Sequence, residues 1–387
     1  MLTAWTAQNI AETTPVCPGQ STNCTNPNSL FSGYYVVTYT ADFDLCSAPC
    51  NLNAYTFQFE GCCRPGSLVN IVTPGGTSTY FSAQLENLPN LDNNSPVFNS
   101  TVTPIVCIGQ GGTIDLGGYD PDGDSLWYSL TVCMDQLGLP VTYAPGITFN
   151  QPLGSTVNLN FDSQTGIISI PPSSIPEGSY VICVEVHEYR NGQYLGSVTR
   201  DFAVAMLNCP SGVGSLPSFS GLQNVVNGNV VGPNTITVCE GKNLSFEMAF
   251  SDADPGDIIT ISTNALGVLD SSSFTSNGLN PATGVFSWTP GPDNAGQTYI
   301  VYATASSAGC PVPGTHTEVV YISVGGDCLD AIITNTACND STGAIDLIVN
   351  VSNPPFTYLW SNGATTEDIS GLPIGLYTVA ISNAAGL

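Results

Sequence analysis

The chain has 387 residues, 42% of them hydrophobic, which suffices for roughly two to four domains with cores of their own. Thirty acidic residues face only four bases, Arg64, Arg190, Arg200 and Lys242, and the net charge is −26. That balance excludes nucleic-acid and anionic-membrane partners, which demand clustered Lys and Arg. No apolar run approaches the roughly 18 residues of a spanning helix, so no membrane insertion is expected in this segment.

Forty glycines, 28 prolines and short alternating runs such as YVICVEVHEY and IDLIVNV predict an all-β chain. Fourteen cysteines spread along it point to an oxidising compartment and a disulfide framework. The alternative is thiolate metal ligation by Cys46 and Cys50 or by the adjacent Cys62 and Cys63. Zinc sites ask for CxxC spacing or added histidine, and the chain has only His187 and His316. One lysine leaves almost no scope for isopeptide cross-links, so disulfides must do the stapling.

Residues 1–96 open with MLTAWTAQNIAETTPVC, which has neither a basic nor an apolar signal region. Any secretion signal is expected to have been removed or to lie outside this segment, and the mid-pattern ending AISNAAGL reads as part of a longer protein. Six cysteines (17, 24, 46, 50, 62 and 63) mark a cysteine-rich β domain that closes at Pro96.

Repeats organise the chain from residue 97 onward. IVCIGQGGTIDLGGYDPDGD (105–124) matches TVCEGKNLSFEMAFSDADPGD (237–257), and FDSQTGIISIPP (161–172) matches NPATGVFSWTP (280–290). They predict two β-sandwich domains, 97–209 and 210–328, joined by CPSGVGSLPSFSG, and a smaller, incomplete one at 329–387. Similar beads with short joints predict an extended rod of immunoglobulin-like sandwiches. Tyr180, Tyr299 and Tyr377 each start an alternating strand after a glycine, the place of a tyrosine corner. Ile182, Val184 and Val186 should then face the core, with Glu185 and His187 outward. Trp127, Trp288 and Trp360 are expected in cores rather than as sugar-stacking platforms. Cys133 with Cys183 and Cys107 with Cys209 are the expected pairs; Cys239 is left with either Cys310 or Cys328.

The acidic turns need a reason in a chain that is only 9% charged. Asp120, Asp122 and Asp124 fall within five residues, and Asp252, Asp254 and Asp257 form a less regular second set. Like charges on one turn repel, and a hard cation taking six to eight oxygen ligands reverses that sign. Both sets are therefore candidate metal ligands for Ca2+, with Asp92 and Asn94 as a weaker third group. The plainer alternative is turn chemistry alone, since Pro-Asp-Gly is an ordinary turn. Nothing matches a nucleophile–histidine motif, a phosphate loop or HExxH, so no enzyme is expected and no catalytic residue is assigned.

The strings DPDGDSLWYSL with FDSQTGIISIPP, and DADPGD with NPATGVFSWTP, resemble cadherin-like domains of the dystroglycan type. ACNDSTGAIDLIVNVSNPPFTYLWSNGATTEDISGLPIGLYTVAISNAAG (337–386) resembles the repeat of SprB-type adhesins, large bacterial surface proteins exported by the type IX secretion system and used in gliding motility. YYVVTYTADFDLC and FEGCCRPGSLVNI resemble modules of proteins from the same route. The resemblance implies an extracellular, bacterial cell-surface location and, since the repeat normally closes with Gly-Cys, a partner for Cys338 beyond residue 387. It implies a surface adhesin or filament segment stiffened by calcium and disulfides. The expected partners are a surface polysaccharide or other substratum ligand, or neighbouring copies of the chain. Two alternatives are a carbohydrate-binding or spacer module of a secreted hydrolase and a self-assembling surface fibre.

Overall fold

A computed structural model describes every residue except 1–5, 15, 17–20, 30–32, 41–52, 89–91, 101–102, 158, 210–214, 255, 310–311, 326–327, 338–339, 351–354 and 384–387. The chain is β throughout; among the described residues the helical pieces are single turns at Pro74–Gly76, Gln136–Gly138, Ala265–Val268 and Pro292–Asn294. It divides into two compact units. One comprises Met1–Gln223, Glu247–Phe286 and Ile300–Val320, the other Asn224–Phe246, Ser287–Tyr299 and Tyr321–Leu387.

The first unit is built on a sheet in the order Ala54–Gly61, Thr79–Glu86, Gln193–Leu207, Gly178–Arg190, Ser125–Leu130, with Ile105–Cys107 added in parallel to the end of Gln193–Leu207. A smaller sheet carries Asn160–Phe161, Ile167–Ile170 and Gly112–Asp115. Ile114, Leu116, Tyr128, Ile168, Ile182, Val184, Val186 and Val204 make one buried cluster from the two sheets, the inner layer of a sandwich. From Val184 onward along Gly178–Arg190 the period of two holds as expected: Val184 and Val186 are buried, Glu185 and His187 half-buried, whereas Ser179–Val184 are buried on both faces. Tyr180 Oη donates to the Pro176 carbonyl at 2.8 Å, a tyrosine corner in working order.

Strands Ala54–Gly61 and Thr79–Glu86 extend this same sheet, through Leu85 opposite Gly196 and Ala83 opposite Val198. The boundary expected at 96 does not part them from the later strands. Leu68 and Ile71 also join Cys133, Val141, Val181 and Cys183 in a second buried cluster. Beside it, Arg64 is buried and donates from Nη1 to Asp201 at 2.8 Å, from Nε to the Ser78 carbonyl at 3.0 Å and from Nη2 to the Met134 carbonyl at 2.8 Å.

Disulfides join Cys133 to Cys183 and Cys107 to Cys209, both as the strand order predicts. Cys62 and Cys63 bond to each other, so they are not thiolate metal ligands. Cys46 and Cys50 lie outside the described residues. Cys239 is disulfide-bonded, to a partner beyond the described side chains. Cys24 is free.

Residues 218–325 supply two more sheets, in the orders Ser218–Val226, Leu244–Ser251, Ala282–Trp288, Ser273–Ser276 and Gly228–Gly232, Thr235–Cys239, Thr315–Gly325, Thr298–Ser307, Ile259–Thr263. In the second unit Trp288 is buried, edge-on to Tyr299 at 5.3 Å. Tyr299 departs from the corner pattern: its hydroxyl accepts from Asn294 Nδ2 at 2.7 Å. Near the C-terminus Leu347, Trp360, Ile369 and Leu372 form a small core, and Tyr377 Oη bonds the Pro373 carbonyl at 2.9 Å. Trp127 corrects the expectation of three core tryptophans. Tyr128 takes the inward position, and Trp127 points outward with 47% of its surface exposed.

Arg64→Met should destabilise the chain by about 3–5 kcal/mol, the cost of leaving one member of a buried pair alone, read as a fall in the urea midpoint. Burial pushes the Asp201 carboxyl above its usual range and Arg64 pulls it back. The loss should therefore shrink towards pH 4, where Asp201 can take up a proton.

Candidate functional site

The first acidic turn is held by Asp120. Its Oδ1 accepts from the Asp122 amide at 2.8 Å and the Asp124 amide at 3.3 Å, while its carbonyl accepts from Gly123 at 3.1 Å. Gly123 has φ of +81°, a conformation that favours glycine. This much is ordinary Asx-turn chemistry. It uses one carboxylate oxygen and leaves the other: among the described residues, Asp120 Oδ2 is buried without a hydrogen-bond partner.

A second orphan faces the same place. Glu188, near the end of Gly178–Arg190, is 2% exposed, and its Oε1 also lacks a partner. Asp120, Asp124 and Glu188 each present an oxygen within 4.8 Å of the others. Asp122 is drawn elsewhere, accepting from the Asn94 amide at 2.6 Å and Asn94 Nδ2 at 2.8 Å. Arg190 supplies the local positive charge, with Nε and Nη2 each 2.6 Å from Asp124 and Nη2 3.4 Å from Asp122. It also donates to the Asp92 carbonyl at 3.2 Å. Asp92 and Asn94 thus stand at the first cluster, as backbone acceptor and as hydrogen-bond donor to Asp122.

The electrostatics follow from burial. Desolvation, then the nearby Asp124 and Asp122 charges, push Asp120 up to about 6. Desolvation and the charges of Asp120 and Asp124 push Glu188 up to about 7. Hydrogen bonds from Asn94 hold Asp122 below the usual carboxylate range.

The second turn repeats the plan. Asp252 Oδ1 accepts from the Asp254 amide at 2.9 Å and from Ser215 Oγ at 2.5 Å, and Asp254 Oδ2 accepts from the Ser215 amide at 2.7 Å. Asn280 clamps the backbone, donating to the carbonyls of Asp252 at 3.1 Å and Asp254 at 2.9 Å. Asp252 Oδ2 and Asp257 Oδ2 are buried and unpartnered, and the three carboxylates lie within 4.8 Å of one another. No arginine enters here. Burial and the like charges of Asp252 and Asp254 raise Asp257.

Both sets fit a hard divalent cation in donor type: they offer oxygen alone, and each holds two buried oxygens without a partner. In the first set Arg190 already occupies both oxygens of Asp124, whereas the second set has no such rival. Glu188 escaped the sequence reading although a signal existed. The parity that buries Ile182, Val184 and Val186 also turns residue 188 inward.

Among the described residues, the one serine–histidine contact at this face lacks the geometry of a triad. Ser129 Oγ lies 3.3 Å from His187 Nε2, but Glu185 approaches that same nitrogen at 3.9 Å, whereas a triad acid must hold the opposite one.

No family model and no curated protein matches the sequence. Solved structures similar to it include the extracellular cadherin domains 1–5 of protocadherin gamma B2, at 10% identity and a TM-score of 0.20, covering 92% of this chain and 61% of that one. Domains 1–4 of protocadherin gamma B7 give 13% identity and a TM-score of 0.20 over 83% and 66% of the two chains. Domains EC1-2 of human protocadherin-24 give 14% and 0.20 over 60% and 98%. The chain spans about three-fifths of the gamma B2 fragment. Overlaps at these scores carry no argument, and the fold rests on the chain's own sheets.

The raised carboxylates make a pH prediction. A folded-state value above the unfolded one stabilises at low pH and is lost as pH rises through the folded value. In chelator, the melting temperature should therefore fall as pH rises from about 4 to about 7, through the ranges of Asp120 and Glu188. Glu188→Gln should remove the upper part of that fall, and thermal melts across the range check it.

Proposed function

We propose that this chain is a non-enzymatic segment of a large extracellular adhesion protein, a run of disulfide-stapled sandwiches stiffened by calcium at its acidic turns. The observation that carries the reading is the set of four buried carboxylate oxygens without partners, Asp120 Oδ2, Glu188 Oε1, Asp252 Oδ2 and Asp257 Oδ2. A buried, unpaired acceptor costs stability, and one ion at each turn removes two such costs.

Asp252, Asp254 and Asp257 would hold one ion, and Asp120, Asp124 and Glu188 the other. The ion supplies positive charge and oxygen coordination, locking each turn against its neighbouring segment: Ser215 and Asn280 at the second turn, the end of strand Gly178–Arg190 at the first. Filling the first set requires Arg190 to release Asp124, so the second set fills first. The repeat at 337–386, with its resemblance to SprB-type adhesins, supports a parent protein on a bacterial surface. Export by the type IX route and service in attachment or gliding are proposed on the same resemblance. The disulfides Cys107–Cys209 and Cys133–Cys183 suit that oxidising setting.

Thermal melts in chelator and in millimolar calcium test the reading. For an extracellular-type affinity, calcium at ten times Kd should add about 1.4 kcal/mol per site, seen as a rise in melting temperature. Asp257→Asn should remove most of the response at the lowest calcium concentrations. An unchanged melting temperature would remove calcium from the proposal.

A further inference from the structure

The sheet that buries Val184 and Val186 has a second face. Residues directly opposite each other on paired strands share a face, so the register can be read as rows. One row runs Trp127, His187, Ser197, Gln84. The row on one side is Ser125, Tyr189, Tyr194, and on the other Ser129, Glu185, Thr199.

Aromatic rings dominate the first two rows. Trp127 is 47% exposed. The Tyr189 and Tyr194 rings lie 5.6 Å apart, and Tyr194 is 6.2 Å from the His187 ring. Hydrogen-bonding groups edge them: Glu185 accepts from Ser197 Oγ at 2.9 Å, and Gln84 donates to Glu86 at 2.8 Å. Four strands at about 4.8 Å spacing give a platform about 14 Å across.

We propose that this face binds a neutral polysaccharide, with Trp127 as the stacking anchor. A pyranose ring presents a flat C–H face and a rim of hydroxyls. The exposed Trp127 ring and the half-buried His187, Tyr189 and Tyr194 rings, with adjacent carboxylate, amide and hydroxyl groups, complement both. A protein partner fits less well, because interface cores are depleted in Ser and Glu and the three rows carry Ser125, Ser129, Ser197 and Glu185. An anionic glycan is disfavoured by Glu185 and Glu86, by the absence of Lys or Arg in the rows, and by the net charge of −26.

The inference deepens the attachment reading and rests on it, since it names what the segment would hold. It does not depend on calcium. The test is affinity electrophoresis of the whole chain through native gels containing mannan, laminarin or hydroxyethylcellulose, with alginate and heparin as anionic controls. At least one neutral polymer should retard the chain and neither anionic one should. Trp127→Ala should weaken the retardation by about tenfold or more, Trp127→Phe by less, with both melting temperatures unchanged because the side chain lies outside the core. Four outcomes would each overturn the inference: no retardation by any neutral polymer, retardation that Trp127→Ala leaves intact, retardation by the anionic polymers alone, or mobility that depends on protein concentration through Trp127. The last would make the face a contact between copies. Glycan binding without any effect on cell attachment counts against the attachment reading instead.

Discussion

Thirty acidic side chains share this chain with four bases, and the three arginines are each committed. Arg64 is buried against Asp201, Arg190 spans Asp122 and Asp124, and Arg200 lies over the Phe98 ring at 4.7 Å, with Asp115 among the charges acting on it. Internal cations therefore cannot neutralise the remaining buried carboxylates. That shortage organises the molecule. Arg190 takes both oxygens of Asp124 at the first turn, yet among the described residues Asp120 Oδ2 and Glu188 Oε1 stay buried and unpaired there, as Asp252 Oδ2 and Asp257 Oδ2 do at the second turn.

One strand links the features that matter for function. Gly178–Arg190 carries Ile182, Val184 and Val186 into the core, Cys183 into a disulfide, and Tyr180 into the corner with Pro176. Its inward parity continues to Glu188 at the acidic cluster, and its other parity places Glu185, His187 and Tyr189, half-buried, on the opposite face of the sheet. The period of two thus lets a single element serve the core, an acidic cluster and a second sheet face at once. The extra strands Ala54–Gly61 and Thr79–Glu86 widen that face by extending the sheet.

The parts legible in the sequence were those set by local chemistry. Alternation placed the core face of Gly178–Arg190, strand order placed the Cys133–Cys183 and Cys107–Cys209 pairs, and glycine-then-tyrosine placed two of three corners. The acidic turns were visible as runs of aspartate, but their company was not. Glu188 reaches Asp124 from 64 positions along the chain, and Asn94 draws Asp122 aside from before the turn. Trp127 misled because Leu126, Trp127 and Tyr128 are all apolar, so alternation could run either way. Only the pairing of Trp127 with His187 decides it. The joining of 54–86 to the sheet of 178–207 depends on pairing between distant strands, which composition does not encode.

The most direct measurement is ion counting: equilibrium dialysis of the chelator-stripped chain against radioactive calcium at fixed ionic strength. The account predicts saturable uptake with a dissociation constant of about 10⁻⁴–10⁻³ M, and the loss of one ion when Asp252 and Asp257 are both changed to asparagine. Uptake that never saturates, or that this double change leaves intact, would contradict it.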